Sequence, residues 1–347
     1  MRLPAHPRGL RRATFCLALM AIGPAAAARS EPALPLPRIE IDRADLVSIA
    51  AIDPMHVIDD DFARLRDPAL WQGLSVQRIG LREGDTAWRL WRIVNRTRRT
   101  GPLWVIPHDN ENATFAAAVD AVRSWGGAAI VVDTGAIDQG YAARFNADVG
   151  AGTPIDPNRH FRADRPLYAG VVLDDLKSGL RPIIALHTNA RGFDPRLPAC
   201  PGRARGTPGS GDIAIGLCSN RFSPRPSRRA AWPFDDDDTL VLTPYLAGAT
   251  PDRGYCLGPM AAADFNLVFE RVAQSDGSLS NYAAEHDLPY LNFETRDLGN
   301  GLAGVAQARG RLIAMIDTMM ERCAPIEGLS LDPAATAKDR RAGRRRR

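Results

Sequence analysis

The chain has 347 residues, 45% of them hydrophobic, and a formal charge of +4 at pH 7. That is ample for a sizeable core in one large or two smaller domains. The positive charge sits at the two ends: 1–28 hold four arginines and no acid, and 338–347 hold seven basic residues and one acid. What lies between is net acidic, which excludes a general basic face for nucleic acid.

Arg2, Arg8, Arg11 and Arg12 precede the apolar stretch 13–23, which runs on into four alanines at 25–28. A basic start, a short apolar run and small residues at its end describe a secretory signal peptide over 1–28. The run is too short to span a bilayer comfortably. The sequence thus predicts a periplasmic or secreted protein with no stable membrane insertion after signal removal, an uncleaved anchor being the alternative. Residues 29–38 read as an extended, proline-bearing leader, 39–330 as a single domain, and 331–347 as a solvated basic tail. Cys16 leaves with the signal, so Cys200, Cys218, Cys256 and Cys323 remain. An even number in an exported chain favours disulfides. Cys200 with Cys218 would close a Gly/Pro/Arg-rich surface excursion over 188–235, and Cys256 with Cys323 would be the other bridge. Three pairings are open.

In chain order, Trp88–Val94 alternates imperfectly and predicts a strand near the start of the main sheet. The regular part begins at Pro102: a strand at 103–107, a helix at 113–125 ended by Gly126-Gly127, and a strand at 128–133. Strands follow at 182–187, 239–243 and 290–294. Residues 261–274 and 278–287 are expected as helices, and 301–322 as a long amphipathic closing helix. Short strands separated by helices imply an α/β fold with a mixed, largely parallel central sheet covered by helices on both faces. In such sheets ligands gather at the carboxyl ends of strands. His108, His187 and Glu294 all fall there. The run Asp235–Asp238 lacks the alternating ligands and glycine of a calcium loop and reads as a solvated turn.

His108 and Glu111 stand three positions apart at a strand-to-helix turn, and His187 ends the later apolar run 183–186. Imidazole nitrogen and carboxylate oxygen both suit Zn²⁺, which in catalytic sites takes three protein ligands and keeps a fourth position open. Each residue alone has an ordinary explanation. The order of the set carries the signal: His108 and Glu111, then Asp156-Pro157-Asn158-Arg159, then His187, then Glu294 closing Tyr290-Leu291-Asn292-Phe293-Glu294.

This ordered set resembles the zinc carboxypeptidase superfamily, including its succinylglutamate desuccinylase and aspartoacylase branch, over roughly 102–322. The resemblance implies a zinc carboxypeptidase-like fold and one zinc ion held by His108, Glu111 and His187. It implies that Asn158 and Arg159 bind a substrate carboxylate, that Arg144 meets the oxyanion, and that Glu294 is the general base. The chain departs from the family in its short interval from Arg159 to His187 and in the cysteine-bearing excursion before Glu294. The tyrosine that closes over the substrate in the digestive enzymes has no clear match, with Tyr245, Tyr255 and Tyr282 all available.

Around this set, Asp109, Asn110 and Asn189 are expected to orient the turn or a ligand through hydrogen bonds. His160, His56 and His286 read as structural or rim residues. Asn95 and Asn112 match glycosylation sequons, the second against a proposed ligand. No Gly-x-Ser-x-Gly elbow, phosphate loop or Cys-x-x-Cys occurs. The sequence therefore predicts an exported zinc metallohydrolase that cleaves an amide or peptide bond beside a carboxylate, acting as a carboxypeptidase on peptides, cell-wall stem peptides included. An aspartoacylase-like or desuccinylase-like amidohydrolase of N-acyl amino acids is the second reading. A non-catalytic module that binds carboxylates is the third, and Glu294 speaks against it because a binding module needs no base.

Overall fold

The computed structural model describes residues 47–135, 143–150, 152–189, 221–236, 238–251 and 254–326. The expected signal, leader and basic tail lie outside these residues, as do Cys200 and Cys218. The strands are β1 (Val47–Ile52), β2 (Leu74–Glu83), β3 (Thr86–Asn95), β4 (Leu103–Ile106), β5 (Ala128–Asp133), β6 (Ile183–Asn189), β7 (Phe222–Arg225), β8 (Leu240–Leu246), β9 (Leu267–Val272) and β10 (Tyr290–Arg296). They form one sheet in the order β1-β2-β3-β5-β4-β6-β10-β8-β9-β7. At its centre β5, β4, β6 and β10 run parallel, and antiparallel pairings flank them.

Successive residues of a strand point to opposite faces, and here both faces are apolar. Trp104, Ile106, Ile184 and Leu186 enter one core, whereas Leu103, Val105, Ile183 and Ala185 enter the other. The first core is closed by α3 (Asn112–Trp125) and α7 (Leu302–Arg322), which also pack on each other; the second is closed by α4 (Pro166–Val172) and α6 (Leu279–Glu285). Burial on both sides explains why the central strands read as continuous apolar runs. The mixed α/β sheet with helices on both faces follows. The turn from α3 into β5 depends on Gly127. Its φ is +78°, and a Cβ there would lie 2.0 Å from the Pro102 carbonyl oxygen, so only glycine lets β5 start beside β4. No helix among the described residues is long and apolar enough to cross a membrane.

Three expectations need correction. Residues 261–274 are not one helix: a short α5 (Leu257–Ala262) stops at Asp264, whose φ is +69°, and the chain continues as strand β9. Leu267, Val268 and Phe269 are buried there beside β8, a β-branched and aromatic run that suits a strand. The excursion ends sooner than 235, because β7 is already paired with β9 and Phe234 is buried. Asp236 and Asp238 are buried rather than solvated, with Asp236 3.4 Å from Arg311 and Asp238 2.9 Å from Arg296. The sequence reading also left β1 and β2 unassigned. Cys256 and Cys323 form a disulfide, with Cα atoms 5.5 Å apart, which ties the start of α5 to the end of α7.

Two one-turn helices, α1 (Asp60–Ala63) and α2 (Pro68–Trp71), lead into β2. Asp59 caps α1, accepting hydrogen bonds from the Asp61 and Phe62 amides at 3.0 and 3.2 Å. Asp59, Asp61, Asp109 and Asp133 are all buried. Burial, then repulsion from Asp133, raises the Asp59 pKa to about 7. The folded protein therefore holds a proton that the unfolded chain releases near pH 4, and stability falls as pH rises from about 4 to 7. Asparagine caps as well as aspartate. Asp59→Asn should thus raise the melting temperature at pH 8 by on the order of a few degrees and change it little at pH 4. Thermal denaturation at the two pH values checks this, and an unchanged or lowered Tm at pH 8 would sink it.

Candidate active site

Three neighbouring strands, β4, β6 and β10, carry the candidate residues at their carboxyl ends. His108 lies two residues past β4, and Glu111 occupies the N-cap of α3. A residue in that place normally turns its side chain back to the first helical amides. Glu111 makes no such bond; its Oε2 accepts from the Thr188 amide at 2.7 Å instead, reaching across to β6. His187 sits in β6, and the parallel register sets Glu294 of β10 directly beside it. Asn292, on the same face of β10, donates to Glu294 Oε1 at 2.8 Å.

The donor atoms converge. His108 Nδ1 lies 2.8 Å from Glu111 Oε1 and 3.1 Å from His187 Nδ1, and His187 Nδ1 lies 3.5 Å from Glu111 Oε2. All three residues are buried. A single ring proton on His108 Nδ1 cannot serve both of its neighbours. One cation between the two Nδ1 atoms and the Glu111 carboxylate would satisfy them together. Tetrahedral zinc with bonds of 2.0–2.1 Å sets its ligands about 3.3 Å apart; the two ring nitrogens stand 3.1 Å apart, close to that value, and each has one oxygen of Glu111 beside it. His187 Nε2 is buried and has no hydrogen-bond partner, so Nδ1 is the atom through which this ring is fixed. The residues fit a metal of zinc's size and ligand preference.

His108 Nε2 lies 3.0 Å from Asp156 Oδ1. A carboxylate on the far nitrogen fixes the ring and strengthens Nδ1 as a donor to metal. Asp156 thus orients His108; of the residues expected to orient the turn or a ligand, Asp109 fixes the turn. Asp109 accepts from the Thr134 amide and hydroxyl at 3.0 and 2.6 Å, whereas Asn189 donates to the Asp238 carbonyl at 2.9 Å. Among the described residues no hydrogen bond joins Asn110 to a ligand.

The charges reinforce one another. Burial works against a charge on His108, but Glu111 and Asp156 outweigh it and raise the pKa. Burial likewise opposes ionised Glu111, and the two histidines overcome it, pushing the carboxyl well below its usual range. Asp156 is held at about 2, where His108 and Arg144 outweigh burial. For Glu294 burial wins, opposed by His187 and aided by Glu111, and its pKa is raised. A carboxyl poised upward is suited to exchanging protons near neutral pH.

Arg144 donates to Glu111 Oε1 at 3.0 Å, and its Nε stands 3.6 Å from Asp156 Oδ2. It lines a cleft of about 530 Å³ with Glu111, His187, Asn158, Arg159 and Glu294. Every site residue expected from sequence therefore belongs to one cavity, apart from His108, which is buried behind the wall that Glu111 and His187 form. Asn158 and Arg159 lie on a 3₁₀ turn, Pro157–Arg159, which Asp156 caps through the Asn158 amide at 2.9 Å. His160 turns the other way and packs against Trp88 and Tyr168, a structural role as expected. Sequence reasoning missed Arg221, Glu270 and Tyr290, which also line the cleft. Nothing in their local pattern marks them, since they come from separate strands and a strand edge. Tyr245, Tyr255 and Tyr282 do not line it. Both sequon asparagines are buried, which disfavours their modification.

No family model matches the chain, and no curated protein matches it. Among solved structures it is similar to the succinylglutamate desuccinylase of Chromobacterium violaceum, with 14% identity across 71% of this chain and 70% of that one at a TM-score of 0.37. It is also similar to a candidate metallopeptidase from Shewanella denitrificans, with 15% identity across 80% and 97% of the two chains at a TM-score of 0.42. A third is an ectoine utilization protein from Ruegeria pomeroyi, with 12% identity across 81% and 73% at a TM-score of 0.35.

Proposed function

We propose that the chain is a zinc-dependent hydrolase that cleaves the amide bond of an N-acylated amino acid bearing a free carboxylate. The observation that supports this is one cleft lined by Glu111 and His187, with His108 converging on both from behind, together with a half-buried glutamate, an arginine beside Glu111 and an Asn-Arg pair. A peptide's C-terminal residue and a small N-acyl amino acid both contain the required unit, so carboxypeptidase and amidohydrolase activity share this chemistry.

His108, Glu111 and His187 would hold one Zn²⁺. When bound, the ion supplies water with a pKa lowered to roughly 7 and an electrophile beside the scissile carbonyl. Glu294 accepts the water proton and passes it to the leaving nitrogen. Arg144 donates to the oxygen on which negative charge develops. Arg159 grips the substrate carboxylate through its planar fork, with Asn158 adding a donor. A pure binding module would have no use for Glu294 at this position.

The expected signal over 1–28 places this activity in the periplasm or outside the cell, and the Cys256–Cys323 pairing suits an oxidising compartment. Metal analysis of the purified mature protein tests the reading, together with hydrolysis of a panel of N-acetyl amino acids and N-acetyl dipeptides. About one equivalent of zinc and turnover of at least one class are expected. Less than about a tenth of an equivalent under non-chelating conditions would sink it.

A further inference from the structure

The outer end of the cleft is organised around one carboxylate. Asp276 Oδ2 accepts from Arg159 Nη1 at 2.7 Å and from Arg221 Nη2 at 2.6 Å, so the two guanidinium groups stand side by side. The other oxygen, Oδ1, accepts from the Ser278 amide at 3.0 Å, and the Asp276 amide donates to Asn281 Oδ1 at 3.2 Å. Arg221 is anchored in turn by the buried Glu270, to which its Nε donates at 2.9 Å. Asp276 is thereby fixed from several directions, and its pKa is lowered despite burial by Ser278, Arg221 and Arg159.

The next residue touches the same turn from its backbone. Gly277 has φ +78°, and a Cβ on it would lie 2.5 Å from the Arg159 carbonyl oxygen. Its own carbonyl accepts from the Phe161 amide at 2.9 Å. Two residues on, the Leu279 amide donates to Asn158 Oδ1 at 3.4 Å. Segment 276–279 thus bonds to Asn158, the Arg159 side chain and the Phe161 amide, and packs closely on the Arg159 carbonyl.

Arg159 is half exposed, its side chain at 49%. An ion pair with so exposed a partner adds little stability, which leaves orientation as its use. A long, flexible arginine loses rotamer freedom when it grips a ligand, and anchoring it beforehand removes part of that cost. One of the five donors of Arg159 goes to Asp276, and the rest stay available to a carboxylate. We infer that Asp276, seated by Gly277, is a positioning residue that presets Arg159 for the substrate carboxylate, an inference that rests on the role given to Arg159 above. The competing idea, that Asp276 occupies the place of the substrate carboxylate, predicts the opposite sign.

The test uses zinc-loaded, full-length wild type, Asp276→Ala and Asp276→Asn. Each is assayed against N-acetyl dipeptides and N-acetyl amino acids supplied both as free acids and as carboxamides. For Asp276→Ala the KM for the best free acid should rise about tenfold, with kcat within about twofold. The carboxamides should show no change in kcat/KM, and zinc content should stay the same. Asp276→Asn keeps an acceptor oxygen and should recover part of the loss, which also covers the case that the alanine variant does not fold. Calorimetric titration of the same variants with the N-acetyl amino acids gives Kd without turnover. An unchanged or lowered KM and Kd, or an equal loss on the carboxamides, would overturn the inference. A wild type that binds free acids no better than carboxamides overturns the grip itself, and the role of Asp276 with it. A wild type that binds free acids selectively but hydrolyses nothing overturns only the hydrolase reading.

Discussion

Glu294→Gln should keep its zinc and lose turnover by about 10²–10⁴-fold. Glutamine has the same length and can still accept the hydrogen bond that Asn292 donates to Glu294 Oε1 at 2.8 Å. What it lacks is a site for a proton. The loss should therefore appear in kcat, with KM and the folded structure little changed. Glu294 is not among the three converging donors, since the register places it beside His187 rather than inside the cluster. The metal should accordingly stay. Steady-state kinetics and metal content on the same sample decide the matter, and unimpaired turnover would remove Glu294 from the chemistry.

Asp156→Ala should weaken zinc binding by about 10–100-fold while leaving all three ligands in place. The carboxylate holds His108 from its far side at 3.0 Å, caps the Asn158 turn at 2.9 Å and stands 3.6 Å from Arg144. Removing it frees the His108 ring and loosens the turn that carries the carboxylate grip, so KM should rise as well. Asp156→Asn can still cap the turn and accept from the ring, without the charge, and should fall between. His108→Ala, by contrast, removes a ligand outright and should leave no stoichiometric zinc. Competition against a chromogenic chelator measures all three variants. Wild-type zinc affinity in Asp156→Ala would show that this contact is structural alone.

The candidate histidines were legible because both follow apolar runs. Leu103–Ile106 and Ile183–Leu186 are buried on both faces, and a polar residue placed just past such a run stands at the mouth of a parallel sheet. Helices α3 and α7 were legible for the same reason, since their apolar periodicity is local. The strand at 267–272 was not. A short apolar run fits helix and strand alike, and the deciding facts were a positive φ at Asp264 and an open place beside β8. For Asp109 the sequence left open whether it orients the turn or a ligand, and its side chain turns to Thr134 and fixes the turn.

The sequence by itself determined an α/β sheet with apolar cover on both faces, the three candidate ligands, the glutamate and the Asn-Arg pair. The sheet follows from local periodicity, which acts over a few positions of the chain; the candidate residues follow from their order along the chain and the resemblance that order carries. Only the tertiary structure decided that Asp156 backs His108, that Glu294 stands beside His187, and that Asp276 and Arg221 meet at Arg159. Those contacts join residues 48, 107, 117 and 55 positions apart. Strand register and the packing of α6 against the sheet bring such residues together, and neither is written in the neighbours of any one of them.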